Sequence, residues 1–314
     1  MEETTRNTAK ERDTAMATAK RSITMDLDGH EVKVTSPAKV MYPETGTTKQ
    51  DVVDYLLAVA DVMLPRLRDR VVTRIRYPDG TEGTRFYERH APRSMPEWIR
   101  AVTVSASPGT GRNAKQVRYP VVADRAGLVW MANQAALELH VPQWRVGPRG
   151  GIGKPDRMVF DLDPGEGMGL DDCAGVAHLL AARMADEGLT LTPLTSGKKG
   201  MHLYALLDGR RSAKTVHELG MRVARDLGER FPDRIVARSG KDERVGKVFI
   251  DWSQNHPARS TVVPYSLRGL ARPTVAAPRT WDEIQPGLTQ LSPAEVLERL
   301  ERDGDLLAAA GWPG

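Results

Sequence analysis

Val159-Phe160-Asp161-Leu162-Asp163-Pro164-Gly165 is the stretch that organises the second half of the chain. Its apolar residues predict a short buried strand, which Pro164-Gly165 ends. Side chains alternate along a strand, so the two aspartates face the same side. Adjacent carboxylates repel each other unless a cation neutralises them, and hard divalent ions prefer oxygen ligands. The motif therefore predicts a Mg²⁺ or Mn²⁺ site at a sheet edge, although an aspartate-rich surface turn has a similar composition.

A second stretch, Thr195-Ser196-Gly197-Lys198-Lys199-Gly200-Met201-His202-Leu203-Tyr204, places a hydroxyl, two glycines and two lysines between two predicted strands. Glycine lets backbone amides approach an anion, and lysine supplies positive charge. The stretch therefore predicts a phosphate cradle with His202 as a further donor, and a lysine-bearing hairpin turn is the structural alternative. It is not a Walker loop, because the Gly-Lys-Ser/Thr order is absent and a strand follows instead of a helix.

A third stretch, Gly246–Asn255, contains an apolar strand that ends at Asp251. A lone acid there is more often a turn residue, so it gains weight only as a third ligand beside Asp161 and Asp163. Two ions held by such acids can activate a hydroxyl and stabilise a departing pyrophosphate. Arg244 and Arg268 would add positive charge at a triphosphate.

Composition narrows the class of protein. The 314 residues are 40% apolar, enough for a substantial core, and no stretch approaches the roughly 20 apolar residues that span a bilayer. The N-terminus lacks the apolar centre of a signal peptide. The single cysteine, Cys173, excludes an intramolecular disulfide and a multi-cysteine zinc site. We therefore expect a soluble cytoplasmic protein with no membrane partner.

The positive charge is concentrated in one part of the chain. Residues Arg66–Arg100 contain nine arginines, no lysine and five acids, an excess of +4 that equals the net charge of the whole chain. Such clustering suits a polyanionic partner, although charge alone is equally consistent with a solvated face.

Hydrophobic patterning predicts an α+β protein in which a mixed or antiparallel sheet carries the acids. Residues 1–20 are polar and predict a disordered tail. Residues 21–314 predict one catalytic domain, with a subdomain border near the glycine-rich segment 147–153.

These motifs, in this order, resemble the polymerase domain of bacterial ligase-D proteins and its stand-alone relatives, the bacterial primase-polymerases. The resemblance runs from about Ser36 to the C-terminal helix. It is most specific in the three stretches above and in two others, Leu139-His140-Val141-Pro142-Gln143-Trp144 and Pro264-Tyr265-Ser266-Leu267-Arg268-Gly269. It implies an archaeo-eukaryotic primase-like core and a template-dependent nucleotidyltransferase that extends primers at DNA gaps or breaks.

The resemblance also implies roles for individual residues. Asp161, Asp163 and Asp251 would bind two ions, Mn²⁺ or Mg²⁺. The nucleoside triphosphate pocket would be lined by Ser196, Lys199, His202, Arg244 and Arg268, with His140 beside the sugar. Ribonucleotides would be accepted.

Two further pairs of residues match the family. Phe86 and Tyr87 match an aromatic pair that stacks on the incoming base or template, and cross-strand core packing is the alternative. Lys39 and Lys49 match lysines that hold the 5′-phosphate at a DNA gap or break. The second of them also lies at a predicted helix start, which favours anions.

The ligase and nuclease domains that ligase-D enzymes carry find no counterpart in the sequence. We therefore expect those activities to come from other proteins, with a separate DNA ligase and Ku as partners, and we leave end joining and excision-repair gap filling both open. Two other functions compete: a metal-dependent phosphoesterase, which Lys199 and Arg268 disfavour, and a non-catalytic module that binds 5′-phosphate DNA ends, which the acidic triad disfavours.

Overall fold

The structure, a computed structural model, describes residues 22–105, 116–238, 240 and 242–313. The tail that is predicted to be disordered, residues 1–20, lies outside the described residues. Helix accounts for 30% and strand for 29% of the structure, which confirms the α+β class.

The described residues form seven α-helices and twenty strands. The helices are α1 (Lys49–Ala58), α2 (Ala60–Leu67), α3 (Arg125–Asn133), α4 (Leu170–Ala185), α5 (Ala213–Arg230), α6 (Pro293–Asp303) and α7 (Leu306–Ala309). The strands are β1 (Ser22–Leu27), β2 (His30–Thr35), β3 (Val40–Tyr42), β4 (Thr47–Thr48), β5 (Thr73–Arg76), β6 (Phe86–Glu88), β7 (Ala101–Ser105), β8 (Gln116–Pro120), β9 (Ala136–Val141), β10 (Trp144–Val146), β11 (Ile152–Pro155), β12 (Arg157–Pro164), β13 (Leu191–Thr195), β14 (Met201–Leu206), β15 (Ile235–Val236), β16 (Val248–Asp251), β17 (Thr261–Val262), β18 (Leu267–Arg268), β19 (Thr274–Val275) and β20 (Ala277–Pro278).

The larger sheet carries the acidic motif at its centre. Its strand order within the described residues is β15-β16-β12-β14-β13-β20, and every pair is antiparallel except β15 with β16. The sheet is therefore mixed, as predicted, and β12 lies between β16 and β14.

The two faces of this sheet have different partners. Phe160 and Leu162 of β12 pack in a core cluster with residues of α4 and α5 such as Leu180 and Val223. Val159 and Tyr204 belong instead to a second cluster, which contains Leu139 and other residues of β9. Because side chains alternate along β12, Asp161 and Asp163 share the face of Val159, toward the second sheet.

The second sheet has the order β17-β9-β5-β6 among the described strands, all antiparallel. It includes the hairpin in which β5 pairs with β6. Its strand β9 pairs with β17 and β5, so a residue in the middle of β9 is enclosed on both sides. The site develops between this sheet and the larger one.

Local signals in the sequence mark where helices begin and end. The Thr48 side chain and Asp51 form a capping box at the start of α1. Gly304, with φ of +69°, ends α6, and α7 begins after it. A left-handed residue at this point interrupts the helix.

The glycine-rich segment 147–153 contains the turn between β10 and β11. The subdomain border predicted there stays a prediction. No helix in the described ranges combines the length and the apolar character needed to cross a bilayer.

Candidate functional site

Strand pairing gathers the acids into a row. Asp161 of β12 lies opposite His202 of β14 on one side and opposite Asp251 of β16 on the other. Directly opposed residues of antiparallel strands bring their Cβ atoms to about 4.5–5.5 Å. His202 Nε2 lies 3.4 Å from Asp161 Oδ1. Three residues that are distant in the sequence thus share one place on the sheet.

Asp163 extends this group along β12. Burial raises the pKa of Asp163 to about 6, and the nearby carboxylates of Asp161 and Asp251 add to the rise. Arg244 opposes it, because its Nη1 lies 4.0 Å from Asp163 Oδ2 while its guanidinium stacks 3.7 Å from the centroid of the Phe249 ring. The cluster therefore contains mutually repelling carboxylates and one flanking cation.

This donor set suits a hard divalent cation, since carboxylates that repel one another are relieved by a shared positive ion. In the present conformation Asp251 accepts hydrogen bonds from the backbone amide of Ser253 (2.9 Å) and from Gln254 Nε2 (3.0 Å). Within the described ranges, no group of three or more His, Cys, Asp or Glu side chains is already arranged to hold a metal. An ion bound by all three aspartates therefore requires a side-chain rearrangement.

A second centre is the buried carboxylate of Glu138 on β9, which no motif in the sequence predicted. Its side chain is completely buried. The carboxylate accepts hydrogen bonds or ion pairs from five donors, which are Arg268 Nε (3.1 Å), Lys198 Nζ (3.2 Å), His140 Nε2 (3.2 Å), the Tyr77 hydroxyl (3.1 Å) and the Gly269 amide (3.1 Å).

Electrostatics keeps Glu138 ionised. Burial alone would raise the pKa of Glu138, but the hydrogen bond from His140 and the charges of Arg268 and Lys198 hold it far below its usual range. Burial lowers the pKa of His140, although its contact with Glu138 opposes that shift. A charged residue within the apolar strand β9, two positions before His140, was the signal that could have revealed this centre.

The predicted phosphate cradle joins the two centres. Ser196 is buried, and its carbonyl accepts a hydrogen bond from Arg268 Nη1. The loop also packs on the strand of the acids, since a Cβ atom on Gly200 would lie 1.9 Å from the carbonyl oxygen of Leu162. Glycine is therefore required at this position by close packing.

The two lysines of the cradle differ. Lys198, for which the sequence predicted no individual role, reaches inward to Glu138, whereas Lys199 is exposed. Burial and the neighbouring Arg268 lower the pKa of Lys198. A role for Lys199 at the triphosphate stays a prediction.

Phe86 and Tyr87 lie on the edge strand β6 and are 45% and 54% exposed. This exposure does not fit the core-packing alternative. The guanidinium of Arg89 lies 5.3 Å from the centroid of the Tyr87 ring, so cation and aromatic surface occur together. Phe86 and Tyr87 are consecutive on β6, so their side chains point to opposite faces of the strand, and each exposed ring by itself could stack on a base, that of Tyr87 beside a cation.

The two lysines predicted to hold a 5′-phosphate lie in different environments. Lys39 is partly exposed, and its Nζ lies 3.5 Å from Asp79 Oδ1. Lys49 is buried, and its Nζ donates to the carbonyl oxygens of Thr35 (2.7 Å) and Asn133 (3.4 Å). Burial and the charge of Lys39 lower the pKa of Lys49. The ammonium of Lys49 is thus already occupied by backbone carbonyls.

Known proteins share this family and fold. A family model described as the LigD primase-polymerase domain matches residues 48–307. The multifunctional non-homologous end joining protein LigD of Mycolicibacterium smegmatis is 48% identical over 278 residues, which are 88% of this chain and 36% of that protein. The bifunctional non-homologous end joining protein LigD of Bacillus subtilis is 29% identical over 276 residues, which are 87% of this chain and 43% of that protein.

A solved structure supports the same family. The polymerase domain from Mycobacterium tuberculosis ligase D, in complex with DNA, superposes with a TM-score of 0.84 and 46% identity, covering 90% of this chain and 99% of that one. The fold and the family match define a template-dependent nucleotidyltransferase, a metal-dependent class of enzyme. The chain belongs to the LigD primase-polymerase domain family. It spans a little over a third of the length of the mycobacterial LigD proteins that it matches.

Proposed function

We propose that this polymerase extends a primer at a gap or break in DNA, with Asp161, Asp163 and Asp251 holding two divalent ions, Mg²⁺ or Mn²⁺. The observation that carries the proposal is the row in which Asp161 lies between His202 and Asp251 in strand register. Bound there, the ions would supply charge stabilisation for the attacking oxygen and the leaving pyrophosphate. The aspartates would hold them, and Arg244 would offset negative charge at the edge of the cluster.

The cationic groups around Glu138 support binding of the nucleoside triphosphate. Arg268 and Lys198 converge on one buried carboxylate, which fixes the directions of their side chains. We assign contacts with the triphosphate to these two residues and to Ser196, Lys199 and His202. His140 would lie beside the sugar. Glu138 acts through the cations that it orients, so its role is positioning.

The DNA would contact two other places. Phe86 and Tyr87 offer exposed rings for stacking on the template or the incoming base, which is tolerant of sequence. Lys39 and Lys49 are the candidates for a downstream 5′-phosphate, and the exposure of Lys39 makes it the stronger one. Lys49 would have to release its carbonyl partners first.

The biological setting is proposed from the relatives. Their names place them in non-homologous end joining, and we propose the same pathway for this chain, in the bacterial cytoplasm, with Ku and a DNA ligase as partners. Gap filling during excision repair uses the same chemistry. Acceptance of ribonucleotides is part of the proposal.

Incorporation on a gapped duplex tests the proposal. A labelled primer is incubated with ribo- or deoxynucleotides and with Mg²⁺ or Mn²⁺, and both primer length and released pyrophosphate are measured. Primer extension with one pyrophosphate per nucleotide is expected, with ribonucleotides used at least as well as deoxynucleotides. Release of inorganic phosphate without extension would instead indicate a phosphoesterase, and DNA binding without turnover would indicate an end-binding module.

A further inference from the structure

A cavity lined by arginines lies at the end of β12 that is remote from Asp161 and Asp163. Its lining includes Arg66, Arg70, Arg145 and Arg157 together with Asp156, and we call it the arginine cavity. Its volume is about 170 Å³, several times the space that one ordered water needs. Arg157 precedes Asp161 by four residues on the same strand, a separation of roughly 13 Å.

The arginine cavity contains more positive than negative charge. Asp156 accepts hydrogen bonds from Arg70 Nη2 (2.6 and 2.7 Å) and from Arg145 Nε (2.6 Å). Arg66 pairs with Asp305 at 2.7 Å. Four guanidinium groups therefore share two carboxylates within the described part of the chain.

Arg157 is the guanidinium that this arrangement leaves without an acid. The residue is only 1% exposed, and no carboxylate of the described residues lies within 4.0 Å of it. Its Nε donates to Gln143 Oε1 (2.8 Å), its Nη2 lies 3.4 Å from the Pro142 carbonyl, and its plane lies 5.4 Å from the Tyr204 ring. Nη1 makes no hydrogen bond to any described residue. A buried, unpaired charge is costly, so a counter-ion would be strongly favoured there.

Among the side chains that the structure describes, Arg70 and Arg66, which also line the cavity, have unpartnered guanidinium nitrogens as well. Arg70 is 2% exposed, and its Nε, like that of Arg66, has no hydrogen-bond partner among the residues described. Burial and the charge of Arg157 lower the pKa of Arg70 to about 9. The group remains protonated at neutral pH, and an anion in the cavity would relieve the repulsion between the two guanidinium groups.

We propose that the arginine cavity binds a small anion of the phosphate class, inorganic phosphate or pyrophosphate. Planar guanidinium groups match phosphate oxygens in bidentate hydrogen bonds, which favours phosphate over chloride. Apolar groups, among them Leu206, Trp312 and Pro313, also line the cavity. Since Arg70 and Arg157 are almost completely buried, the backbone of a nucleic-acid strand cannot reach both, whereas a free ion can.

Thermal unfolding and calorimetric titration with inorganic phosphate, then with pyrophosphate, test the proposal at fixed pH and ionic strength against chloride. A ligand that binds only the folded state raises Tm in a concentration-dependent manner. We expect a saturable rise for the wild type and a smaller one for Arg157→Met, which keeps the bulk and removes the charge, and any rise that remains in the variant comes from the triphosphate contacts. Without phosphate, Arg157→Met should be as stable as the wild type or more stable, because no unpaired charge remains.

Two further variants serve as a second test of the cavity and as a surface control. Arg145 is 30% exposed in its side chain, so Arg145→Gln should fold even if the buried variant does not, and phosphate affinity should fall about tenfold. Arg222→Gln changes an arginine that is 59% exposed on α5 and should bind phosphate as the wild type does. Equal Tm shifts in the wild type and in both cavity variants would overturn the proposal, as would the absence of a saturable shift in the wild type.

Titrations with DNA distinguish a free phosphate ion from a phosphate group of DNA as the ligand of the arginine cavity. Gapped duplexes with a 5′-phosphate or a 5′-hydroxyl should bind Arg157→Met as tightly as the wild type. If this variant loses only the preference for 5′-phosphorylated DNA and keeps its response to inorganic phosphate, the cavity is a DNA contact and the proposal is wrong. Nucleotide incorporation should persist in Arg157→Met, so failure here is separable from failure of the polymerase assignment.

Discussion

Asp161 and Asp251 lie opposite each other in register on the antiparallel strands β12 and β16, although almost a third of the chain separates them in the sequence. The pairing places like charges side by side on the sheet. The pKa of Asp163, which burial and these two carboxylates raise to about 6, reflects the resulting repulsion. Repulsion between carboxylates destabilises the protein without a ligand, and such an arrangement is expected where a bound cation neutralises the negative charge.

Removing one acid should abolish activity without unfolding the protein. We expect Asp161→Ala to lower nucleotide incorporation by more than the roughly 10–100-fold cost of losing an outer-shell partner of a metal. Its Tm without metal should equal or exceed that of the wild type, because the substitution relieves like-charge repulsion. Primer extension and thermal unfolding measure the two effects.

The matched control is Asp233→Asn, which removes an exposed carboxylate away from the row. It should leave both activity and Tm unchanged. Near-normal incorporation by Asp161→Ala would refute its role as a metal ligand, and a large fall in Tm would make it a structural residue instead.

Glu138→Gln should impair nucleotide binding more than the chemical step. A neutral amide cannot balance Arg268 and Lys198, and the loss of a charge-assisted contact corresponds to about tenfold or more. We therefore expect KM for the nucleotide to rise at least that much while kcat changes less. Glu138→Asp, which restores the charge, should have a KM between those of Glu138→Gln and the wild type. A folded Glu138→Gln protein with an unchanged KM would contradict the positioning role.

Gly200→Ala should distort the contact between the phosphate cradle and β12. Its Cβ would collide with the backbone of Leu162, which no side-chain rotation relieves, so we expect a loss of about 2–3 kcal/mol in the free energy of unfolding. Gly151 is the control, because a Cβ there would meet no atom within 4 Å and its φ is not left-handed. Gly151→Ala should change stability by less than about 0.5 kcal/mol. Chemical denaturation compares them, and equal stabilities would mean that the loop adapts.

Phe86→Ala and Tyr87→Ala should weaken DNA or nucleotide binding without destabilising the fold. Stacking contributes about 1–3 kcal/mol per base, which corresponds to roughly 10–100-fold in affinity. Ile152→Ala, at a residue that is 40% exposed on β11, is the control for removing exposed apolar surface. Fluorescence anisotropy with a gapped duplex measures affinity. A loss of stability without a loss of affinity would restore the packing interpretation.

Lys39→Ala and Lys49→Ala should behave differently. Among the described residues the Lys39 ammonium makes one exposed ion pair, so its replacement should cost less than about 1 kcal/mol of stability and remove a preference of about tenfold for 5′-phosphorylated DNA. Lys49→Ala should lower stability by about 1–3 kcal/mol, because the carbonyls of Thr35 and Asn133 lose a buried donor. Titration of both DNAs at one salt concentration, together with denaturation, separates the effects. Equal affinities of the wild type for the two DNAs would mean that the 5′ end is not read.

The sequence by itself determined the features that depend on near neighbours along the chain. Alternation places Asp161 and Asp163 on one face of a strand, and the Thr48–Asp51 capping box marks the start of α1. The ordered motifs were specific enough to predict the family and the α+β class. These properties follow from local backbone geometry and from short-range hydrogen bonds, which the identities of adjacent residues specify.

Only the tertiary structure decided which residues meet. The register of β12 with β14 and β16 puts His202 and Asp251 beside Asp161, and a shift of one residue would turn their side chains to the other face. Burial made Glu138 a centre for five donors and turned Lys198 inward while Lys199 remains exposed. It also enclosed Lys49. Burial and register result from the packing of the whole chain, and no single stretch of sequence contains that information.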